Sequence, residues 1–272
     1  MNSNRKKIIF RWVKVSILLY AVIGISLFYL QDYFLFHPVV IERNIPYQFD
    51  VPFKEVDLPI NETDTLNFVQ FFPKDTVSRG VVLYFHGNKK NINHYSKFAA
   101  FFTKRGYEVW MEDYPGFGKS IGNRNEKILY QQAEQLYKLA ATKFTKDSTI
   151  IYGKSLGTGI AAYLAAVKGC RQLILETPYY NIPALLNSYL PIYPGNRMAK
   201  YKFPVNEYLE NLKMPIAIFH GTNDGVIPYK SAVRLKHFLK PTDRFVTING
   251  GSHNDLTGFP LYQKVLDSLL QF

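Results

Sequence analysis

One serine in this sequence lies between two glycines at a spacing typical of a catalytic nucleophile. Residues 150–159 read IIYGKSLGTG, with Gly153 two positions before Ser155 and Gly157 two positions after it. The apolar run before the serine predicts a buried strand, and the residues after it predict a helix. A chain that turns this sharply from strand to helix strains the backbone at the turn and leaves no room for side chains two positions away. The spacing therefore predicts a nucleophilic Ser155 hydroxyl at a helix N-terminus, where free N–H groups favour a developing negative charge.

A serine hydroxyl is a weak nucleophile until a base removes its proton, and one histidine is well placed for that task. His253 lies in NGGSHNDL, a Gly-rich turn between the last predicted strand and the final predicted helix. The imidazole in turn needs a carboxylate to fix its tautomer and stabilise its protonated form. Asp224, in FHGTNDGVIP, follows another predicted strand, and the order serine, aspartate, histidine is that of one fold of serine hydrolases. Glu176 remains an alternative acid, and a simple turn is the other interpretation of the Asn-Asp-Gly sequence.

The negative charge that develops on an attacked carbonyl oxygen needs two preorganised N–H donors. The first predicted donor is the backbone N–H of Leu156, directly after the nucleophile. We expect the second from the loop YFHGNKKN that follows the predicted strand Val81–Phe85, where Gly87 lets the backbone approach and Asn88 supplies the N–H. In the same loop, His86 is expected to be a structural hydrogen-bonding residue and not a second base.

The elements that must position these residues alternate between strands and helices. Short apolar runs are typical of strands buried on both faces of a parallel sheet, and the alternation predicts an α/β fold with a mostly parallel, doubly wound sheet. In such a sheet the ligand binds at the edge where the strands end. The predicted strands are Asn67–Phe72, Val81–Phe85, Glu108–Met111, Thr149–Tyr152, Gln172–Leu175, Ile216–Phe219 and Phe245–Ile248. The predicted helices are Ile92–Lys104, Glu126–Lys143, Leu156–Lys168, Ser231–Leu239 and Leu261–Leu270.

One interval breaks this alternation. Residues 177–215 contain six prolines interleaved with seven tyrosines and phenylalanines, and a single strand-to-helix crossover does not need so many residues. We interpret the interval as a short lid inserted over the edge of the sheet, with an aromatic underside. A long surface loop with buried tyrosines is the alternative.

An uncharged apolar segment, Val15–Leu30, lies near the N-terminus. Extended to Trp12, it would form a helix of about 28 Å, close to the roughly 30 Å of a bilayer's hydrocarbon core. Basic residues concentrate before it, at Arg5, Lys6, Lys7, Arg11 and Lys14. By the positive-inside rule the N-terminus is cytoplasmic and the rest of the chain is exported, to a periplasm, the cell exterior or the ER lumen. An uncleaved anchor is favoured over a secretory signal, because bulky residues and no small-residue cleavage site follow, and over a core helix, because the whole circumference is apolar.

Composition excludes several other classes of protein. The 272 residues carry a net charge of +12, but outside the N-terminal cluster the basic residues are scattered, which argues against nucleic-acid binding. The single cysteine, Cys170, excludes an internal disulfide, and no metal site is expected. The stretch EDYPGFGKS, residues 112–120, is not a nucleotide-binding loop, because its glycines are too close together.

The motifs LYFHGNKKNINHY, WMEDYPGFGKSIG, IIYGKSLGTG, FHGTNDGVIPY and GGSHNDL occur in this order. Together they resemble the α/β-hydrolases, and more narrowly the membrane-anchored serine hydrolases represented in animals by lysophospholipases and protein depalmitoylases. The resemblance extends from about residue 30 to the C-terminus, and it implies Ser155 as nucleophile, Asp224 as acid and His253 as base. It also implies Asn88 and Leu156 as oxyanion donors. Many members of that group have Arg or Gln where this sequence has Lys154.

These observations predict a membrane-tethered serine hydrolase with an anchor at residues 1–32 and an α/β-hydrolase domain at residues 33–272. Its expected substrates are carboxylic esters or thioesters, with acyl chains or lipids favoured by the aromatic lid and the tether. No cofactor is required. An amidase or peptidase with the same three residues is an alternative, and a non-catalytic binding module on the same fold is another.

Overall fold

The computed structural model describes residues 3–74 and 77–271. Its strands are β1 (His37–Pro38), β2 (Phe53–Pro59), β3 (Thr65–Phe71), β4 (Gly80–Phe85), β5 (Lys89–Lys90), β6 (Tyr107–Glu112), β7 (Thr149–Lys154), β8 (Gln172–Glu176), β9 (Ile216–Gly221) and β10 (Arg244–Ile248). Its α-helices are α1 (Ser3–Tyr29), α2 (Gln31–Leu35), α3 (Ile92–Tyr95), α4 (Ala99–Thr103), α5 (Glu126–Ala140), α6 (Gly157–Lys168), α7 (Ile182–Tyr189), α8 (Gly195–Met198), α9 (Val205–Leu209), α10 (Tyr229–Val233) and α11 (Pro260–Leu270).

Eight strands form one sheet in the order β10-β9-β8-β7-β4-β6-β3-β2. All pairs from β10 to β6 are parallel, whereas β3 pairs antiparallel with both β6 and β2. The mostly parallel sheet predicted from the sequence is thus confirmed. Strand β2 is absent from the sequence prediction, because its residues FKEVDLP are only half-buried at the sheet edge and lack the apolar run of a central strand.

Buried apolar residues cover both faces of this sheet. One layer packs against α5, α6 and the 177–215 interval, and the other against α3, α4 and α11. The helix predicted over Ile92–Lys104 is divided by a 3₁₀ turn at Ser96–Phe98. Residues three apart eclipse each other in a 3₁₀ turn, which allows both Tyr95 and Phe98 to face the core.

Helix α1 has the length and composition of a membrane-spanning helix over Asn4–Tyr29. Its 27 residues extend about 40 Å. Nearly all of its side chains are exposed, so it is not a helix of the domain core. Only the buried Gly24 and the half-buried Leu27 interrupt the exposed surface within residues 4–29.

The interval 177–215 contains α7, α8 and α9. Most of its aromatic residues turn inward, and Tyr179, Tyr193, Tyr201 and Phe203 are all buried. Helix α9 packs on α6, the helix that follows the predicted nucleophile. The middle of the interval, residues 192–201, packs on α1 and α2, where Gln31 Nε2 donates to the carbonyl oxygen of Met198 at 2.8 Å.

Candidate active site

Ser155 lies at the turn between β7 and α6, with a positive φ of 52°. A non-glycine residue in this region of backbone space is strained, as expected for a nucleophile on a strand-to-helix turn. The two glycines are required by packing. A methyl group at Gly153 would lie 2.7 Å from Thr158 Cα, and one at Gly157 would lie 2.7 Å from the carbonyl oxygen of His86. Both distances are shorter than real Cβ contacts, so a larger residue at either position would move the turn.

The structure brings the three predicted catalytic side chains together from three different loops. Ser155 Oγ lies 2.9 Å from His253 Nε2, and His253 Nδ1 lies 2.8 Å from Asp224 Oδ2. With the Nδ1 proton donated to the carboxylate, Nε2 is left as the acceptor for the serine proton. All three residues are buried. This geometry is the one in which an imidazole can remove the hydroxyl proton as the serine attacks a carbonyl carbon.

Asp224 is held as a carboxylate by its surroundings. Burial by itself would raise its pKa, but the hydrogen bond and charge attraction of His253 lower it, as do the N–H groups of Val226 and Ile227. Both N–H groups donate to Asp224 Oδ1 at 2.8 Å, which leaves Oδ2 directed at the imidazole. The net effect is a pKa below the usual value, so the carboxyl stays charged at neutral pH. Burial also lowers the pKa of the neighbouring His220, which favours its neutral form.

The two predicted oxyanion donors lie in the loops that flank the serine. Leu156 follows Ser155 at the start of α6, and Asn88 follows β4. Among residues 3–74 and 77–271, no backbone carbonyl accepts a hydrogen bond from the N–H of either residue. The Asn88 loop is fixed by other bonds, because Asn88 Nδ2 donates to the carbonyl oxygen of Leu35 at 2.6 Å and His37 N donates to Asn88 O at 2.8 Å.

Glu176, the alternative acid, is engaged elsewhere. Its carboxylate accepts hydrogen bonds from Lys154 and Tyr152, and from Tyr262 at 3.0 Å. Lys154 Nζ also lies 3.3 Å from the backbone carbonyl oxygen of His253. This geometry favours Asp224 as the partner of the imidazole and gives Glu176 a place in a buried network under the histidine loop.

His86 and Asp113 connect two loops at the same edge of the sheet. His86 Nε2 lies 3.3 Å from Asp113 Oδ1, and the same oxygen accepts from the N–H of Ile92 at 2.9 Å. His86 Nδ1 lies 2.6 Å from the carbonyl oxygen of Gly87. These contacts suit the structural role predicted for His86, because one ring nitrogen lies near Asp113 and the other near the carbonyl oxygen of Gly87.

Tyr95 lies near the candidate site, although no sequence motif predicted it there. A methyl group built on Gly87 would lie 2.7 Å from the Tyr95 hydroxyl and 3.6 Å from Ser155 Cβ, which places the phenol beside the nucleophile. Burial raises the pKa of Tyr95 to about 12, although the N–H groups of Gly87 and Lys89 partly oppose the rise. The phenol is therefore protonated at neutral pH. Only the packing of α3 against the Gly87 loop brings it there, since no motif marks a lone tyrosine.

Residues 76–204 match the model of the family described as serine aminopeptidase, S33 (Hydrolase_4). Among curated proteins, the chain is 28% identical over 200 residues to alpha/beta hydrolase domain-containing protein 17C of Xenopus tropicalis, a match that covers 72% of this chain and 62% of the relative. The human protein of the same name is 26% identical, with 72% and 58% covered. The chain therefore spans about three fifths of the length of these relatives.

Solved structures show the same fold at low sequence identity. The esterase Pf2001 of Pyrococcus furiosus superposes with a TM-score of 0.66 at 17% identity, over 87% of this chain and 97% of that one. The α/β hydrolase GrgF of Penicillium sp. sh18 gives 0.62 at 15% identity, over 81% and 98%. Est1E of Butyrivibrio proteoclasticus, solved with ferulic acid bound, gives 0.59 at 17% identity, over 79% and 96%.

Proposed function

Because this chain belongs to the α/β-hydrolase superfamily, we propose that it is a membrane-tethered serine hydrolase that cleaves carboxylic esters or thioesters. Ser155 is the nucleophile, His253 the general base and acid, and Asp224 the carboxylate that orients the imidazole. The single observation that carries the proposal is the continuous path Ser155 Oγ–His253 Nε2 and His253 Nδ1–Asp224 Oδ2, at 2.9 and 2.8 Å.

The reaction proceeds in two stages. Ser155 Oγ attacks the acyl carbon as His253 accepts the hydroxyl proton, and the Leu156 and Asn88 N–H groups donate to the carbonyl oxygen as it becomes negative. His253 then gives the proton to the leaving alcohol or thiol, which leaves an acyl group on the serine. A water molecule deprotonated by His253 then attacks this acyl-enzyme. The bond between the acyl carbon and Ser155 Oγ breaks as His253 returns the proton to Oγ, and the carboxylic acid is released. The buried Asp224 stabilises the imidazolium at both stages.

Helix α1 is the membrane anchor in this proposal, and the catalytic domain lies on the side of the membrane opposite the basic N-terminal residues. The exposed apolar surface of α1 supports an anchor, because water would not solvate it favourably. The basic cluster that precedes it supports a cytoplasmic N-terminus. Residues 33–272 form the hydrolase domain, and residues 177–215 form its lid.

An acyl chain is the favoured part of the substrate. The lid presents aromatic and aliphatic residues toward α6, and the tether keeps the site close to lipid. Esters or thioesters of long-chain acids are thus the proposed substrates.

Two measurements test the proposal. A fluorophosphonate probe should label the wild-type chain on Ser155 and should not label Ser155→Ala, whose turnover should also be lost. Ser252→Ala is the matched control, because Ser252 lies beside His253 but outside the proposed path, and it should keep both labelling and turnover. Labelling of Ser155→Ala at the wild-type level would reject the assignment. A second test compares p-nitrophenyl esters of increasing chain length, and a preference for acetate would reject the long-chain proposal alone.

Amide hydrolysis is the second candidate, because the matching family model is described as a serine aminopeptidase. The same residues could cleave an amide, but His253 would have to protonate a poorer leaving group. Turnover of matched esters and anilides separates the two: a higher kcat/KM for the ester supports the esterase, and comparable or higher values for the anilide support the amidase.

A further inference from the structure

The middle turns of α1 contact the lid. Tyr20 and Tyr193 stack with their ring centroids 4.6 Å apart. Tyr193 donates its hydroxyl proton to the carbonyl oxygen of Tyr20 at 2.9 Å, and the Tyr20 hydroxyl donates to that of Ile192 at 3.0 Å. One turn further along, a methyl group at Gly24 would lie 2.9 Å from the Tyr193 ring. The two surfaces are therefore complementary in shape, because the absence of a side chain at Gly24 leaves room for the ring of Tyr193.

These contacts fix the depth of the lid relative to α1. At about 1.5 Å per residue, Gly24 and Tyr20 lie roughly 8 and 14 Å along the axis from Tyr29, the last residue of the helix. If Tyr29 lies at the membrane surface, both positions are inside a hydrocarbon layer about 30 Å thick. The lid residues that pack against Tyr20 and Gly24 therefore lie at the same depth in the membrane. We call residues 189–194 (YLPIYP) the lid tip.

The lid tip has the apolar composition that such a position requires, and several of its backbone groups are hydrogen-bonded. It contains no charged residue, and the side chains of Tyr189 and Ile192 are 53% and 68% exposed. Backbone groups in hydrocarbon must be paired. Leu190 N–H donates to Leu186 O at 2.8 Å, and Tyr193 N–H donates to Leu190 O at 3.1 Å. The carbonyl oxygen of Ile192 is bonded to α1, and the two prolines have no N–H.

Polar groups adjoin the lid tip at the level where α1 ends. Lys200 pairs with Asp32, three residues after Tyr29, and the N–H of Lys200 donates to Gln31 Oε1 at 2.7 Å. The exposed Arg197 can extend its guanidinium to the same level. An apolar segment bordered by polar residues at the level of the membrane surface is the pattern of a segment that enters a membrane from its surface.

We propose that the lid tip inserts into the hydrocarbon layer beside α1, so that the active site faces the bilayer and receives its acyl substrate from it. This inference rests on the proposed function, because it takes α1 as the anchor and an acyl compound as the substrate.

Both sides of the active site are joined to this membrane-facing surface. Tyr189 Oη donates to the carbonyl oxygen of Val226 at 2.5 Å, and Val226 is the residue whose N–H holds Asp224. On the other side, the Asn88 side chain is bonded to Leu35, six residues after the end of α1. The exposed Tyr33 and Phe34 continue the apolar surface toward this loop. The carboxylate loop and the oxyanion loop therefore lie within a few residues of the predicted membrane surface.

A depth measurement tests the insertion without any assay of activity. Ile192→Cys, made in a Cys170→Ala background and labelled with the fluorophore NBD, is reconstituted as the full chain in phosphatidylcholine vesicles. Nitroxide groups on lipid acyl chains should quench the label severalfold more strongly than they quench NBD at Val167→Cys, which is 48% exposed at the far end of α6. Equal quenching at the two positions would overturn the proposal.

A second experiment tests substrate delivery. Ile192→Asp should reduce hydrolysis of a long-chain ester embedded in vesicles at least tenfold, leave hydrolysis of a soluble short-chain ester unchanged, and match wild type in thermal unfolding. Val167→Asp, the control, should leave both rates unchanged. Equal loss on both substrates would contradict delivery from the bilayer. If the wild-type chain hydrolyses neither ester, the proposed function fails, but the quenching experiment still decides whether the lid tip is inserted.

Discussion

The buried ion pair of Lys154 and Glu176 lies directly beneath the proposed catalytic histidine and supports a quantitative prediction. Their side chains are 3% and 1% exposed. Removal of one partner leaves the other charge without compensation in the interior, which costs about 3–5 kcal/mol in comparable buried pairs. We expect Lys154→Met and Glu176→Gln each to lower the free energy of unfolding by about that amount.

The double variant should lose less stability than the sum of the losses in the two single variants. Lys154→Met/Glu176→Gln removes both charges, and the glutamine amide oxygen can still accept from Tyr152 and Tyr262. Since a neutral replacement of a buried pair is often close to neutral in stability, we expect the double variant to lie within about 2 kcal/mol of wild type. Urea unfolding of the full chain in detergent, followed by circular dichroism, gives the four free energies of this cycle.

An exposed ion pair provides the control. Arg43 and Asp57 lie 2.6 Å apart, but their side chains are 45% and 42% exposed. Solvent screening limits such a pair to about 0–1 kcal/mol, so Arg43→Met should have a small effect. If Lys154→Met is as mild as Arg43→Met, and the effects of the Lys154 and Glu176 substitutions add, the argument from desolvation is refuted.

Variants of Lys154 should also show whether this residue positions His253 for catalysis or contributes to substrate binding. Lys154 Nζ lies 3.3 Å from the backbone carbonyl oxygen of His253, so its loss frees the loop that carries the imidazole. We expect Lys154→Met to lower kcat more than it raises KM, and Lys154→Arg, which retains the charge, to recover part of the rate. A change confined to KM would show that the histidine loop does not depend on Lys154.

Three further predictions concern single residues. Burial raises the pKa of Glu112 well above its usual value. The unfolded chain ionises first, so stability should fall as the pH rises above about 4.5, by up to about 1.4 kcal/mol per unit. Glu112→Gln should flatten that slope in urea unfolding, and an unchanged slope would contradict it. Gly157→Ala should abolish fluorophosphonate labelling while circular dichroism stays native, because its methyl group meets the carbonyl oxygen of His86; normal labelling would refute the steric argument. Asp224→Asn should lower kcat about 10⁴-fold. Asp243→Asn is the control and should leave kcat unchanged, because this buried carboxylate precedes β10 and accepts from the N–H of Ile216 at 2.9 Å.

Several parts of the fold could be predicted from short stretches of sequence. The apolar runs at β4, β7 and β9 indicated buried parallel strands, and the sheet confirms that prediction. The glycines around Ser155 indicated a sharp turn, because a Cβ atom at either position has no room. The unbroken apolar circumference of the segment Val15–Leu30 argues by composition alone against a helix of the domain core. Each of these signals is local, since it depends on residues within a few turns of the chain.

Other features depend on contacts between residues far apart in sequence. Glu176 ends β8 and Asp224 follows β9 at the same edge of the sheet. Only the packing of Lys154, Tyr152 and Tyr262 around Glu176 directs it away from His253. Tyr95 and the half-buried strand β2 carry no periodic signal, and their positions follow from the neighbours that cover them.

The sequence by itself indicated the residues proposed for acyl transfer and the helix apolar enough to enter a membrane, because side-chain chemistry and hydrophobic periodicity are properties of short segments. Tertiary structure decided which carboxylate meets the imidazole and that the lid packs against α1 at Tyr20 and Gly24. Those outcomes depend on the shapes of surfaces that meet only when the chain is folded, and a linear pattern of residue types does not specify shape.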